Sequence, residues 1–292
     1  MIKQKIHKQI IPMIFFILLI IYTISLIIPL IWTILTSLKS QMDFYLNPFK
    51  LPSKPMFENY LLVFKDMYRE IMTPSGPRKV FLIELFFNSI LYSVGCTFIS
   101  ILVQSTSAYV CAKYRFKFGR IIHSTVILVM IFPIVGSLPS ELQIMRAIGF
   151  YDNLIGMWLI KGSFTGMNFL IFYATFKGIS WEYAEAAVID GASHAAIMFK
   201  IMLPLAKVTI LSLGILSFIT YWNDWQVSVI YLPNTPVAAY ALYAFQFNTS
   251  NISTGVPFVM AACLMVMLPI FILFMAFKNK LIGSLSMGGL KG

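Results

Sequence analysis

Charge is scarce in this sequence. Only 11% of its 292 residues are Asp, Glu, Lys or Arg, against about 25% in an ordinary soluble domain. A soluble enzyme, a disordered chain and a nucleic-acid-binding domain all need polar surface that this composition does not supply. Histidine and cysteine are nearly absent too, at three residues each. His7, His123 and His194 stand far apart, and no Cys/His spacing suits a metal. Cys96, Cys111 and Cys263 lie in or beside apolar runs, where an odd count reads as small packing residues rather than a disulfide frame. Acidic residues are half as numerous as basic ones, 11 against 22, for a formal charge of +11. Most of that excess flanks apolar stretches, so its natural neighbours are anionic lipid headgroups. What the chain has in quantity is hydrocarbon: 59% hydrophobic residues, 26 Phe, 17 Met and a mean hydropathy of +0.83. These absences and that excess specify an all-α integral membrane protein.

A helix needs about 20 apolar residues to cross about 30 Å of hydrocarbon. Six segments qualify as transmembrane helices: roughly 10–38, 82–111, 121–138, 154–176, 208–230 and 256–277. Together they make a single transmembrane domain over 10–277, between an amino terminus of residues 1–9 and a tail of 278–292. The first segment exceeds a flat span, and Pro29 is placed to kink it. It is also far longer than a signal-peptide core, and no small-residue cleavage site follows it. Lys3, Lys5 and Lys8, the run Lys113, Arg115, Lys117 and Arg120, then Lys177, Lys200 and Lys207, and finally Lys278, Lys280 and Lys291 all fall on one side. By the positive-inside rule that side, with both termini, is cytoplasmic. The opposite loop from Trp222 to Gly255 has no Lys or Arg. The other outer loop, Lys39–Phe81, does carry basic residues. They are offset by Asp43, Glu58, Asp66 and Glu70, and its length weakens its vote. Glu84, beside Arg78 and Lys79, reads as half of an interfacial ion pair. Lys161 reads as a stem that snorkels to a headgroup.

The cytoplasmic loop 178–207 is the least membrane-like part of the second half. Ser180 is placed to cap a helix over Trp181–Ile189, with Glu182 and Glu185 near its positive end. Asp190-Gly191 is a helix stop, since glycine enters the left-handed region without a Cβ clash. Ser193 then caps a second helix that should end before Pro204. An amphipathic hairpin on the membrane surface is the plain reading. Against it, the first helix bears carboxylates where a lipid-surface helix carries Lys or Arg. Its Ala184, Ala186 and Ala187 would also admit another backbone, so an acid-tipped, small-surfaced knob suits a protein groove.

The run Glu185-Ala186-Ala187-x-x-Asp190-Gly191-Ala192-x(6)-Phe199-x(4)-Pro204 resembles the EAA loop of ABC importer permeases. Within that superfamily nearly the whole chain resembles the smaller permease subunit of maltose-type carbohydrate importers. Pro29-Leu-Ile-Trp32 with Thr36-Ser-Leu-Lys39, Asn88-Ser89, Ala108-Tyr109, Arg115-Phe116, Tyr221-Trp-Asn-Asp224 and Gly288-Gly-Leu-Lys-Gly292 carry the likeness. Lys207 departs from it, standing where many relatives have a second proline. The resemblance implies a type I ABC importer permease fold: six helices and a two-helix coupling loop that docks in an ATPase cleft. Glu185 would face a basic ATPase residue, Ala186 and Ala187 would permit close docking, and Gly191 would permit the bend. It further implies a heterodimer with a second homologous permease, two ATPase subunits and an extracytoplasmic sugar-binding lipoprotein, in a bacterial cell membrane. The chain has no GxxxxGK[ST] phosphate loop. It is therefore expected to be a non-catalytic subunit without a cofactor of its own, with ATP and Mg bound on the partner ATPases.

Two outer features remain. The loop 232–255 interleaves aromatics with amides, among them Asn234, Tyr240, Tyr243, Gln246 and Asn248. That pattern suits an aromatic membrane belt or contact with a binding protein, and the resemblance favours docking. The cluster Trp222, Asn223, Asp224 and Trp225 could line a sugar path, or simply anchor the span end with two indoles. A stand-alone channel or secondary carrier is the alternative function. Carriers often show internal repeats, and no convincing repeat relates the two halves here. A membrane-embedded enzyme would need clustered His, Asp or Glu within spans, which are missing.

Overall fold

The computed structural model describes residues 2–114, 116–132, 136–247 and 255–287. The chain forms two compact units, Met1–Met67 with Ala244–Met267 and Tyr68–Tyr243 with Leu268–Gly292.

In the first unit, helix α1 (Ile2–Ser37) exposes apolar side chains along most of its length from Ile11 to Ile34, as a lipid-facing helix does. Proline at positions 12 and 29 does not break it. Two short helices follow, α2 (Gln41–Leu46) and α3 (Glu58–Asp66). They supply what the end of α1 lacks, partners for its last carbonyls. The buried Asn59 amide donates to Ser37 O and Lys39 O at 2.7 and 2.8 Å. Lys39, only 1% exposed, donates its ammonium to the carbonyls of Asn47 and Pro48. The Trp32 indole N–H also reaches Pro48 O, at 3.1 Å.

The second unit opens with a feature at odds with an all-α reading. Strands β1 (Tyr68–Thr73) and β2 (Gly76–Phe81) pair antiparallel, Tyr68 opposite Phe81 and Thr73 opposite Gly76. Pro74 and Ser75 make the two-residue turn, and Gly76 takes φ +116°. Arg78 then pairs with Glu84 at 2.6 Å, the expected ion pair.

Helix α4 (Leu82–Lys113) is the hub of this unit. Ser89, Ser93, Cys96, Ser100, Ser105 and Ala108 are buried along it, and small side chains let neighbouring helices approach. After α5 (Lys117–Ile131) and α6 (Leu138–Ala147) come α7 (Leu154–Lys161) and α8 (Met167–Gly178). The segment 154–176, expected as one span, is thus two helices. The break holds Gly162 and Gly166, the latter at φ +120°. Carbonyls left free where a helix breaks need partners elsewhere in the protein. Gln104 of α4 supplies one, its Nε2 donating to Ser163 O at 3.1 Å. Tight contact secures the joint: a Cβ on Gly95 would overlap the Trp158 ring, whose N–H donates to Leu91 O at 3.1 Å.

After α8 the chain forms α9 (Glu182–Ile189), α10 (His194–Ile197), a π-helical turn (Met198–Met202) and α11 (Leu203–Leu205). It continues through α12 (Lys207–Trp222), α13 (Gln226–Ile230), α14 (Ala238–Phe245) and α15 (Val256–Met287). The segment 208–230 is also divided, at Asn223–Trp225. By length and composition alone, three described helices qualify as membrane spans: Ile11–Ser37, Leu82–Lys113 and Val256–Lys278. A fourth is possible if the bent pair His194–Leu205 and Lys207–Trp222, which meet at 76°, counts as one.

Candidate functional site: an acidic loop and a polar cluster around Asp224

The loop after α8 is built from local signals. Ser193 Oγ accepts from Ala196 N at 3.3 Å and caps its helix as expected. Ser180 Oγ accepts from Glu182 N at 3.3 Å, but from one residue ahead of the cap position, which Trp181 holds. Helix α9 closes on Gly191 at φ +76°. Gly191 N donates to Val188 O and Ala192 N to Ala187 O, the paired bonds of a Schellman motif. The small Ala192 follows directly and is half-buried against the same core as Ala187. Nothing lies within 4 Å of a Cβ built on Gly191, so its conformation and not space demands glycine.

The second helix does not end before Pro204. The chain widens into the π turn, where Leu203 N donates to Met198 O, and Pro204 then sits in the first turn of α11. A wider turn removes the clash that a proline ring makes with the carbonyl four residues back. Direction changes at Ala206.

One face of α9 is pinned to its own unit. Ala184 and Ala187 are buried in a core with Tyr109, Phe172, Phe176, Ile197 and Met202. Ala187, expected to permit close docking, lies in this core, where its small side chain brings α9 down onto the helices beneath. Aromatic contacts complete the anchorage. Trp181 meets Tyr114 edge-on at 5.8 Å, Tyr109 meets Phe176 at 5.5 Å, and Tyr114 Oη lies 3.1 Å from His194 Nδ1. Lys113 Nζ donates to Ile179 O. The opposite face is bare: Glu182, Glu185, Ala186, Asp190 and Gly191 are exposed. So are Tyr183, Val188, Phe199 and Ile189, the last 86% exposed. Carboxylates interspersed with uncovered apolar side chains on a fixed helix make a surface suited to a protein partner. Tyr183, Val188 and Ile189 escaped sequence reasoning because the alanines drew attention away from them.

The cluster around Asp224 is more internally committed than its sequence suggested. Asp224 accepts from Tyr92 Oη at 3.0 Å and from Val227 N at 3.2 Å, and it lies 3.6 Å from Lys161 Nζ. Lys161 thus reaches a carboxylate rather than a headgroup. Trp222 is buried, stacked with Phe86 and Phe218 at 6.1 and 5.8 Å. That placement makes it a packing residue, not an open sugar platform. Asn223 is exposed, and Trp225 stacks on Tyr243 with ring centres 4.0 Å apart. Asn234 is held by Asp152, its side-chain amide at 2.6 Å and its backbone N–H at 3.1 Å. Tyr240 is held by Arg69, which donates to its hydroxyl at 2.7 Å and covers its ring at 4.4 Å. Gln246 is exposed. Asn248 lies outside the described residues.

Comparison with known proteins gives this geometry its context. The family described as binding-protein-dependent transport system inner membrane component matches residues 86–284. The chain is 28% identical over 270 residues to the sulfoquinovosyl glycerol transport system permease protein of Agrobacterium fabrum, covering 90% of this chain and 88% of that one. It is 26% identical over 280 residues to the diacetylchitobiose uptake system permease protein of Streptomyces coelicolor, covering 93% and 86%. It is 26% identical over 267 residues to the melibiose/raffinose/stachyose import permease protein of Bacillus subtilis, covering 91% of each. A chain from the crystal structure of a bacterial ABC transporter that imports the acidic polysaccharide alginate superposes with a TM-score of 0.77 at 23% identity, covering 93% and 96%.

Proposed function

The chain belongs to the family of binding-protein-dependent transport system inner membrane components, and from that premise we propose that it forms one half of an ATP-driven translocation pathway for a carbohydrate. It is the permease subunit of an importer, and family membership brings a solute-binding protein and ATPase subunits as partners. Similar permeases are named for glycosides and oligosaccharides, which supports an oligosaccharide as cargo. The proposal extends to a heterodimer with a homologous permease, six membrane crossings and both termini on the cytoplasmic side. Within it, α7–α8 and α12–α13 are each one crossing made of two helices, and the loop 178–207 is the coupling element.

The observation that carries this reading is the two-sided construction of α9. Its alanine face is welded to the core while its acidic and apolar face stands clear. A nucleotide-driven rearrangement of the ATPases would be felt through Glu182, Glu185, Asp190, Ile189 and Phe199 as differential contacts in two states. Trp181, Tyr114 and Tyr109 would carry the displacement to α4 and α8. On the outer side the Trp225–Tyr243 stack, Asn223, Asn234 and Gln246 are the groups offered to sugar or binding protein. ATP and Mg belong to the partner ATPases in this scheme.

The test is a mild-detergent pull-down from the native cell, with mass spectrometry of what accompanies the chain. Recovery of an ATPase and a second permease, both lost with Glu185→Lys while the chain stays in the membrane, is the expected result. Recovery of the chain alone or as a homo-oligomer would overturn the importer reading in favour of a channel or carrier.

A further inference from the structure

A second site lies beside the α4–α5 corner, at the same end of α4 as the coupling loop. Here a cavity of about 410 Å³ is lined by Cys111, Tyr114, Phe116, Lys117, Arg120 and Tyr173, among others, with no acidic residue in its wall. That volume falls within the ~300–1,000 Å³ of small-molecule sites. Lys117 and Arg120 are exposed, and neither makes an ion pair among the described residues. The first N–H groups of α5 open at the same point, and no side chain caps them. Tyr173 forms an aromatic wall, with His123 4.4 Å from its ring centre and Lys177 Nζ 5.5 Å from it. Between and just after the two cations, α5 turns outward the exposed side chains Phe118 and Ile121, 70% and 56% accessible.

We propose that this cavity binds the phosphate headgroup of an anionic membrane phospholipid, with Lys117 and Arg120 on the phosphate and the acyl chains lying along Phe118, Ile121 and Leu128. Three features select a lipid over a protein partner. The cations and the apolar strip adjoin on one helix, as a molecule with an anionic head and hydrocarbon tails requires. The cavity lining sets basic side chains beside Tyr114, Phe116 and Tyr173, which suits a headgroup at the depth where Tyr rings settle. Basic pockets between spans also hold anionic headgroups on electrostatic grounds. Tyr114 belongs both to this cavity and to the contacts with Trp181 and His194. An occupied cavity would therefore stiffen one anchor of α9, so lipid charge would tune the site that meets the ATPase.

The experiment uses the intact transporter, purified in mild detergent and returned to nanodiscs or examined by native mass spectrometry with added lipid. Wild type should retain phosphatidylglycerol in preference to phosphatidylcholine. A nearby basic side chain contributes a factor of about five at an anionic surface, so Lys117→Gln with Arg120→Gln should lower that preference roughly tenfold or more. The charge-conserving pair Lys117→Arg with Arg120→Lys should keep it, and normal recovery of the assembled complex checks that the neutral pair has folded. Unchanged phosphatidylglycerol retention in the neutral pair would overturn the proposal. Full displacement of the lipid by millimolar sn-glycerol 3-phosphate would overturn it in favour of a free phosphate site. Loss of the ATPases without loss of lipid would assign the cavity to a protein contact instead.

Discussion

Asp224 and Lys161 lie 3.6 Å apart, with side chains 22% and 31% exposed, at the top of α12 and the end of α7. Two charges at such a site favour one another only while both remain. Asp224→Asn keeps an acceptor for Tyr92 but leaves Lys161 without its carboxylate. Thermal unfolding of the purified permease should show a loss of about 1.5–3 kcal/mol, the range for a hydrogen bond to a charged group. In a double-mutant cycle with Lys161→Met the two losses should fail to add, by about 0.5–3 kcal/mol. Strict additivity would mean that the pair contributes nothing. Gly191 is the other residue whose role is decided by one number, its φ of +76°. Gly191→Ala meets open space and should cost only the left-handed penalty of about 1–2 kcal/mol. Gly191→Pro cannot adopt that φ and also removes the N–H that bonds to Val188 O. Transport assays on inserted protein should find alanine reduced and proline uncoupled, and normal uptake with proline would count against a coupling role for this turn.

Helix α9 works as an element because one side of it is fixed. Ala187→Leu would force a larger side chain into the contact with the core, an overpacking that typically costs about 1–3 kcal/mol. The expected result is a permease that inserts normally but binds its ATPase more weakly, because the whole acidic face is lifted. Ala186→Leu, one position away and exposed, should leave insertion and stability unchanged. The segment around α2 gives a pH-dependent counterpart. Ser53 donates its backbone N–H and its hydroxyl to Asp43, and these bonds hold the carboxyl below its ordinary value of 3.8. A depressed folded pKa contributes stability above the unfolded value and loses it as pH falls through the folded one. Hydrogen-exchange protection across residues 40–53, taken relative to an unstructured peptide at the same pH, should therefore hold from neutral pH to about pH 5 and fall below about pH 4. Asp43→Asn should remove that dependence. Both loops also show what the sequence could disclose. The cap at Ser193 and the stop at Gly191 were legible because each acts over two to five residues. The hairpin 68–81 was not, since its alternation sits among Arg, Glu and Lys in a loop read for its charge. Nor was the break between α7 and α8, because hydropathy averages across Gly162 and Gly166.

At the scale of the molecule, the family and the membrane setting were readable from composition and one motif, while the contacts that bind helices together were not. Tyr92 and Asp224 are 132 positions apart, and no local pattern links them. The polar side chains of α4 make the same point more sharply. Asn88 donates to Pro236 O across 148 positions, and Gln104 donates to Ser163 O across 59. Ser89 accepts from Ala238 N across 149. Ribosomes add about 5–20 residues each second, so α4 leaves the ribosome roughly 7–30 s before the partners of Asn88 and Ser89 have been synthesised. During biogenesis the helix is thus a newborn with empty hands, carrying amides into the lipid ahead of their acceptors. A nascent chain halted after α5 would hold these amides without their acceptors, so completion of synthesis, more than insertion of any one helix, is the step that satisfies them.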